Sequence, residues 1–271
     1  MEQYYSIAGA VIRVIKEKAE PIRMFRGFEC EAQENPILTL EIEETSSVCS
    51  CYGVSHFDCP EEMTHILLPS GGNGENRLLA SRDWERLCLT GNPQHELAWM
   101  ELLVSAFYSR LTALGGLLMH ASAVEYDGRA VVFTAASGTG KTTQAELWEK
   151  YLGARILNGD KVFLRDTGNQ IMAWGSPWKG SSPYAVNDCA PAAAIIVLAQ
   201  GRKNEIRRLD VLETLGMFTP HVFLTNWDSV CLDHLMATLD RVVEQVPVYF
   251  LSCRPDEEAV QIARDAIWGA K

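Results

Sequence analysis

The sequence predicts an α/β protein, α+β overall, in which a smaller β-rich N-terminal domain precedes a larger layer of alternating strands and helices. Three observations carry this. Short β-favouring runs crowd the chain up to Thr90, an amphipathic helical stretch ending at Gly115-Gly116 follows, and beyond it strand-like and helical runs alternate. At 271 residues the chain suits two unequal domains, expected at 1–115 and 116–271.

In the first domain, Ser6 to Ile15, Ile37 to Ile42, Thr64 to Leu68, Arg77 to Ser81 and Glu85 to Thr90 are β-favouring runs punctuated by Pro, Gly, Asn and Asp. Their close succession predicts a small antiparallel sheet. From His95 to Leu114, Leu97, Met100, Leu103, Ala106, Phe107, Leu111 and Leu114 recur at helical spacing, and the two glycines stop the helix. Downstream, Leu117 to Val124 and Arg129 to Ala135 read as strands, able to pair as a hairpin through Tyr126-Asp127-Gly128. Lys141 to Leu152 is helical through Ala145, Trp148 and Leu152; Arg155 to Leu157 and Val162 to Leu164 are strand-like. A buried strand at Ala192 to Ala199, a helix at Trp227 to Val246, a strand at Pro247 to Leu251 and a helix at Asp256 to Ala270 complete the chain. This alternation predicts a largely parallel central sheet.

Composition narrows the partners. Apolar residues make up 47% of the chain, enough for an ordinary core. The 24 basic against 35 acidic residues leave a formal charge of -11, which repels a phosphate backbone at long range and argues against nucleic acid. No apolar run approaches the ~20 residues of a membrane span. Met1 to Tyr5 lacks the basic and apolar regions of a signal peptide, so a cytoplasmic protein with no membrane partner is expected. The eight cysteines include no CxxC pair, as free thiols in a reducing compartment would. Cys49, Cys51, His56 and Cys59 put four potential zinc ligands within a short span, tighter than known zinc loops. Cys-x-Cys on a strand also points both thiols to one face as small apolar fillers.

The residues Ala135-Ala-Ser-Gly-Thr-Gly-Lys-Thr-Thr143 fit the end of GxxxxGK[ST], between an apolar strand and an amphipathic helix, the setting a P-loop requires. Gly138 and Gly140 let successive N–H groups turn inward, and the helix adds the positive end of its dipole, so Ser137 to Thr143 is read as an anion cradle. Lys141 brings an ammonium to terminal phosphates, and the Thr142 hydroxyl suits Mg²⁺. ATP with Mg²⁺ is the expected ligand. Ala135 stands where the pattern has its first glycine, so entry to the loop must use backbone angles open to alanine.

Two further residues are candidates for chemistry. His120 falls on the strand expected to pair with the loop's own strand; a satisfied core histidine is the plainer reading. Asp160, after Asn158-Gly159, falls near the loop at a strand end, where a carboxylate can hold Mg²⁺ or take a proton from an incoming hydroxyl. Asn-Gly-Asp is also an ordinary hairpin turn.

Taken together, His120-Ala-Ser-Ala-Val, Ser137-Gly-Thr-Gly-Lys-Thr and Gly159-Asp160-Lys resemble the bacterial HPr kinase/phosphorylase family, whose P-loop core is shared with ATP-using phosphoenolpyruvate carboxykinases. The likeness is good over about residues 117 to 165 and loose elsewhere. It implies a P-loop kinase core in which His120 and Asp160 are active-site residues, Asp160 accepting a proton from a serine hydroxyl. The family has two adjacent aspartates where this chain has Gly159-Asp160, and its Glu- and Arg-containing signature is replaced by Trp174-Gly-Ser-Pro-Trp-Lys-Gly180. There Trp178 and Lys179 are read either as a substrate wall with a phosphate-neutralising cation or as a tryptophan-anchored structural loop.

Other runs carry less. Arg202, Lys203, Arg207 and Arg208 read as a solvated turn capping the strand Ala192 to Ala199 rather than as a border of the nucleotide, Met217, Phe218 and Phe223 as core, and Asp256, Glu257 and Glu258 as a helix first turn. The sequence thus leads to an ATP-dependent phosphotransferase acting on a hydroxyl of a small molecule or peptide, with Lys141, Asp160 and His120 as its chemistry and self-association left open. The rival readings are a non-catalytic ATP-binding module and, less well matched in length, a carboxykinase.

Overall fold

The computed structural model describes residues 1–18, 20–44, 62–70 and 75–269, so the cluster at Cys49, Cys51, His56 and Cys59 lies outside the described residues. Among those residues the fold is mixed α+β, with two sheets and five α-helices. The chain divides into two compact units, Met1–Leu111 and Thr112–Lys271.

The first unit carries a six-stranded sheet in the order β1-β2-β3-β6-β5-β4. Its strands are β1 (Glu2–Ile7), β2 (Ala10–Lys16), β3 (Leu38–Glu44), β4 (Met63–Leu67), β5 (Arg77–Ser81) and β6 (Arg86–Gly91). The run Ser6 to Ile15 is therefore not one strand. Ala8 and Gly9 take φ of 52° and 69°, which folds it into a tight β1–β2 hairpin. Nor is the sheet purely antiparallel, because β3 runs parallel to both β2 and β6. The long connection between β2 and β3 permits this crossover, whereas short turns enforce antiparallel pairing of β5 with β6. In α1 (Glu96–Thr112) the buried stripe is Trp99, Leu102, Leu103, Ala106, Phe107 and Leu111, while Leu97 is exposed. The helical period is as the sequence predicts, but the inward face is set by the indole of Trp99, whose Nε1 donates to Asn76 Oδ1 at 3.1 Å.

The second unit begins with β7 (Gly116–Tyr126) and β8 (Arg129–Thr134), a hairpin closed by Asp127 and Gly128 at φ of 51° and 71°. Next come α2 (Lys141–Leu152), β9 (Arg155–Asn158), β10 (Lys161–Asp166), β11 (Ile171–Trp174), β12 (Cys189–Gln200) and β13 (Glu205–Arg208). α3 (Val211–Phe218), α4 (Ser229–Gln245), β14 (Val248–Cys253) and α5 (Glu257–Trp268) finish it. The strand order is β11-β10-β7-β8-β12-β14-β13, with β9 also on β7. Only β8 with β12 and β12 with β14 are parallel, so the expectation of a largely parallel sheet is corrected. Parallel neighbours arise where helices intervene, as α3 and α4 do between β12 and β14; the tight links leave antiparallel pairs.

α2 and α5 bury one apolar cluster against the sheet, centred on Phe133, Trp148, Ile196, Leu251 and Val260. α4 lies against β7, β10 and β11 and is tied to β10 by Arg241 and Asp166 at 3.2 Å. Arg207 and Arg208, expected in a turn, belong to β13, and Phe223, expected in the core, is exposed.

Candidate functional site

β8 ends at Thr134 and the chain turns through Ala135 to Gly140 into α2. Gly138 and Gly140 take φ of 78° and 115°, angles that L side chains rarely adopt. Ala135 is not among the positive-φ residues and is buried, so the missing first glycine does not disturb the entry. No side chain caps α2, whereas aspartates cap α3, α4 and α5 at Asp210, Asp228 and Asp256. A helix start with orphan amides and a positive dipole end is an anion site.

Lys141 is buried, and its Nζ donates to the carbonyls of Ala135 and Ala136 at 3.1 and 3.4 Å. Burial pushes its pKa down and the Asp160 carboxylate partly offsets this. Ser122 of β7 fixes the helix start from below, its Oγ donating to Lys141 O at 2.7 Å. Thr142 Oγ1 donates to the carbonyl of Gly159 at 3.1 Å, which links the loop helix to the segment bearing Asp160.

That segment is not a hairpin turn. β9 and β10 both run antiparallel to β7 and follow one another along the same edge, Asn158 opposite Ala123 and Lys161 opposite His120. Gly159 and Asp160 form a bend inside this line, with Ala121 N–H donating to Asp160 O at 2.9 Å. The bend is held by Asn158, which is fully buried. Its Oδ1 accepts from the amides of Asp160 and Lys161 at 2.8 and 2.9 Å, and its Nδ2 donates to Ser176 O at 2.8 Å.

The bend delivers the Asp160 carboxylate to His120 and Lys161. Oδ1 lies 3.3 Å from His120 Nδ1, and Oδ2 accepts from Lys161 Nζ at 2.7 Å. Burial pushes the Asp160 pKa up, but the bonds to His120 and Lys161 outweigh it and hold the value at about 2. The carboxylate is thus ionised throughout the neutral range, and His120 lies partly exposed beside it.

The segment Trp174 to Gly180 folds over this carboxylate. Gly180 has φ of 57°, and a β-carbon there would come within 2.8 Å of Asp160 Cγ. Trp178 is 1% exposed and its ring stacks edge-on to Phe163, with centroids 6.0 Å apart. Its indole is an anchor of the core, so the reading of Trp178 as a substrate wall is corrected. Lys179 is exposed, its Nζ donating to Pro183 O at 3.4 Å.

A cavity of about 520 Å³ opens beside the loop, lined by Ala135 to Thr139, Leu198, Ala199, Gln200 and His221. His221 escaped the sequence reading because no motif surrounds it. Burial and then the charges of Lys141 and His120 push its pKa down. Asn158, Ser122 and Ser176 were also missed, the first hidden by its resemblance to a turn residue.

The family described as SynChlorMet cassette protein ScmC matches residues 87–255. The chain belongs to the ScmC family. The matched stretch contains the whole ScmC candidate site, from His120 to His221. The chain is also similar to the solved structure of the Hpr(Ser) kinase/phosphatase from Coxiella burnetii, at 15% identity and a TM-score of 0.32 over 54% of this chain and 95% of that one. No curated protein matches this ScmC family member.

Proposed function

We propose that this chain is an ATP-dependent kinase that transfers the γ-phosphoryl group to the hydroxyl of a serine or threonine in a peptide or protein, or of a free small molecule. The observation that carries this reading is the Thr142–Gly159 bond, which ties the uncapped start of α2 to the residue preceding Asp160, whose carboxylate is ionised. A phosphate cradle and an acidic group are thereby held in one frame, the arrangement that phosphoryl transfer needs.

The residues fit the expected ligands. The buried Lys141 ammonium rests on loop carbonyls, from which it can exchange to phosphate oxygens, and β-carbons on Gly138 or Gly140 would meet almost nothing. Ser137 to Thr143 would supply backbone amides to the triphosphate. Thr142 and Asp160 offer the hard oxygens that Mg²⁺ prefers. Among the described residues no cage of three or more His, Cys, Asp or Glu gathers, but Mg²⁺ takes one or two protein ligands with substrate phosphates. When bound, the ion neutralises charge on the phosphates.

The chain's own part is positioning. Lys141 stabilises charge on the transferring group, and His120 fixes the Asp160 carboxylate by its contact at 3.3 Å. A carboxylate with a pKa of about 2 is a weak base, and a loose transition state asks little of it. Asp160 aligns the hydroxyl and receives its proton late, as the oxygen–phosphorus bond forms and the bond to the leaving ADP oxygen breaks. ADP release measured over a panel of hydroxyl acceptors tests the proposal. Acceptor-dependent turnover that falls at least a hundredfold in Asp160→Asn is expected; turnover that ignores the acceptor or the substitution would sink it.

A further inference from the structure

Along β7, β8 covers only Ala121 to Tyr126 and then leaves that edge to enter the phosphate loop. The edge is taken up again by the chain after α3: Met119 bridges antiparallel to Val222, and Phe223 N–H donates to Leu118 O at 3.0 Å. His221 is the residue just before this bridge. It therefore stands at the gap in the edge through which the loop departs, across from His120, and lines the cavity with Ala135 to Thr139.

The charged and titratable groups acting on it are Lys141 from α2 and His120 from β7. α3, which packs on the turn carrying His221, directs no charge there; its Glu213 is bonded to Arg207 at 2.8 Å. Without an anion the imidazole is thus held towards its neutral, hydrogen-bonding form near Lys141 and His120, a setting that one ligand of high negative charge would satisfy. His120, across from His221 in the Met119–Val222 bridge, also touches Asp160, and on this ground His221 is directed at the transferring phosphate.

We propose that His221 is a phosphate-contacting residue of the nucleotide site, directed at the terminal phosphate that distinguishes ATP from ADP. The proposal rests on the nucleotide reading above and adds a residue to it. His221 donates a ring N–H to that phosphate, and the triphosphate reverses the field from Lys141 and His120, so the ring takes up a proton as ATP binds.

Calorimetry with ATP and ADP in buffers of differing ionisation enthalpy tests this on the full chain, using wild type, His221→Ala, His221→Gln and Lys141→Ala. His221→Ala is expected to weaken ATP about tenfold and ADP less than twofold, the size of one lost bond to a charged group. His221→Gln keeps an N–H donor but no titratable ring, so it retains most affinity while proton uptake on ATP binding drops. If His221→Ala fails to fold, as a thermal melt would reveal, His221→Gln alone decides by its proton uptake. A wild-type ATP-to-ADP ratio in His221→Ala, or unchanged uptake in His221→Gln, overturns the inference; loss of binding in Lys141→Ala would then leave the nucleotide reading standing. Wild type that binds neither nucleotide overturns both.

Discussion

Ser182 fills the space beside Gly159: a β-carbon on Gly159 would lie 2.6 Å from Ser182 Cβ and closer still to its Oγ. The chain departs from the two-aspartate pattern of its resemblance at Gly159, and the structure gives the reason. The ground that a first aspartate would occupy is taken by Ser182, just after the segment that folds over Asp160.

Gly159→Asp is accordingly expected to destabilise the protein, by roughly 1–3 kcal/mol of overpacking, and not to raise activity. Ser182→Gly in the same chain should recover part of the loss. Thermal melts of the three variants check this. A stable Gly159→Asp protein with increased turnover would show that the space is open and the second carboxylate useful.

Asn158 governs the bend that presents Asp160. Its buried side chain accepts from two amides and donates to Ser176 O. Asn158→Ala would leave two buried N–H groups without this acceptor, at about 1–3 kcal/mol. The expected result is a drop of that size in urea denaturation, with a loss of turnover larger than the loss of nucleotide affinity, because Asp160 moves while the loop from Ser137 to Gly140 does not. Equal losses in both would mean that Asn158 supports the whole unit and not the carboxylate in particular.

The same contrast marks how far the sequence could be read. The phosphate loop, α2 and the β7–β8 hairpin were legible because local chemistry dictates them: glycines at positive φ, a helical period through Ala145 and Trp148, and Asp127-Gly128 between apolar runs. His120 and Asp160 were each legible as candidates, but their contact was not, since β10 meets β7 through a register that no local signal announces. Asn158-Gly159-Asp160 misled because a turn tripeptide and a bend within a continuous edge strand share composition. Trp178 reads from the sequence as either a substrate wall or a structural anchor, because burial against Phe163 is decided by tertiary packing. His221 had no local signal at all; it reaches the site through one antiparallel bridge at Val222.

Asp160 also carries a pH signature. Its pKa is held at about 2 against an ordinary 3.8, because His120 and Lys161 favour the ionised form by more than burial opposes it. A folded-state value below the unfolded one means that the contribution is complete above about pH 4 and is lost as pH falls towards 2. The size is about 2 kcal/mol, from about 1.4 kcal/mol per unit of pKa. Asp160→Asn cannot titrate, so its stability should fall less steeply than wild type across that window, the two denaturation curves converging by about that amount. Between pH 5 and 8 the gap between them should be flat with respect to this group. Parallel curves down to pH 2 would mean that the carboxylate is not held by His120 and Lys161 in solution, and the acidic group proposed to align the acceptor would lose its fixed position.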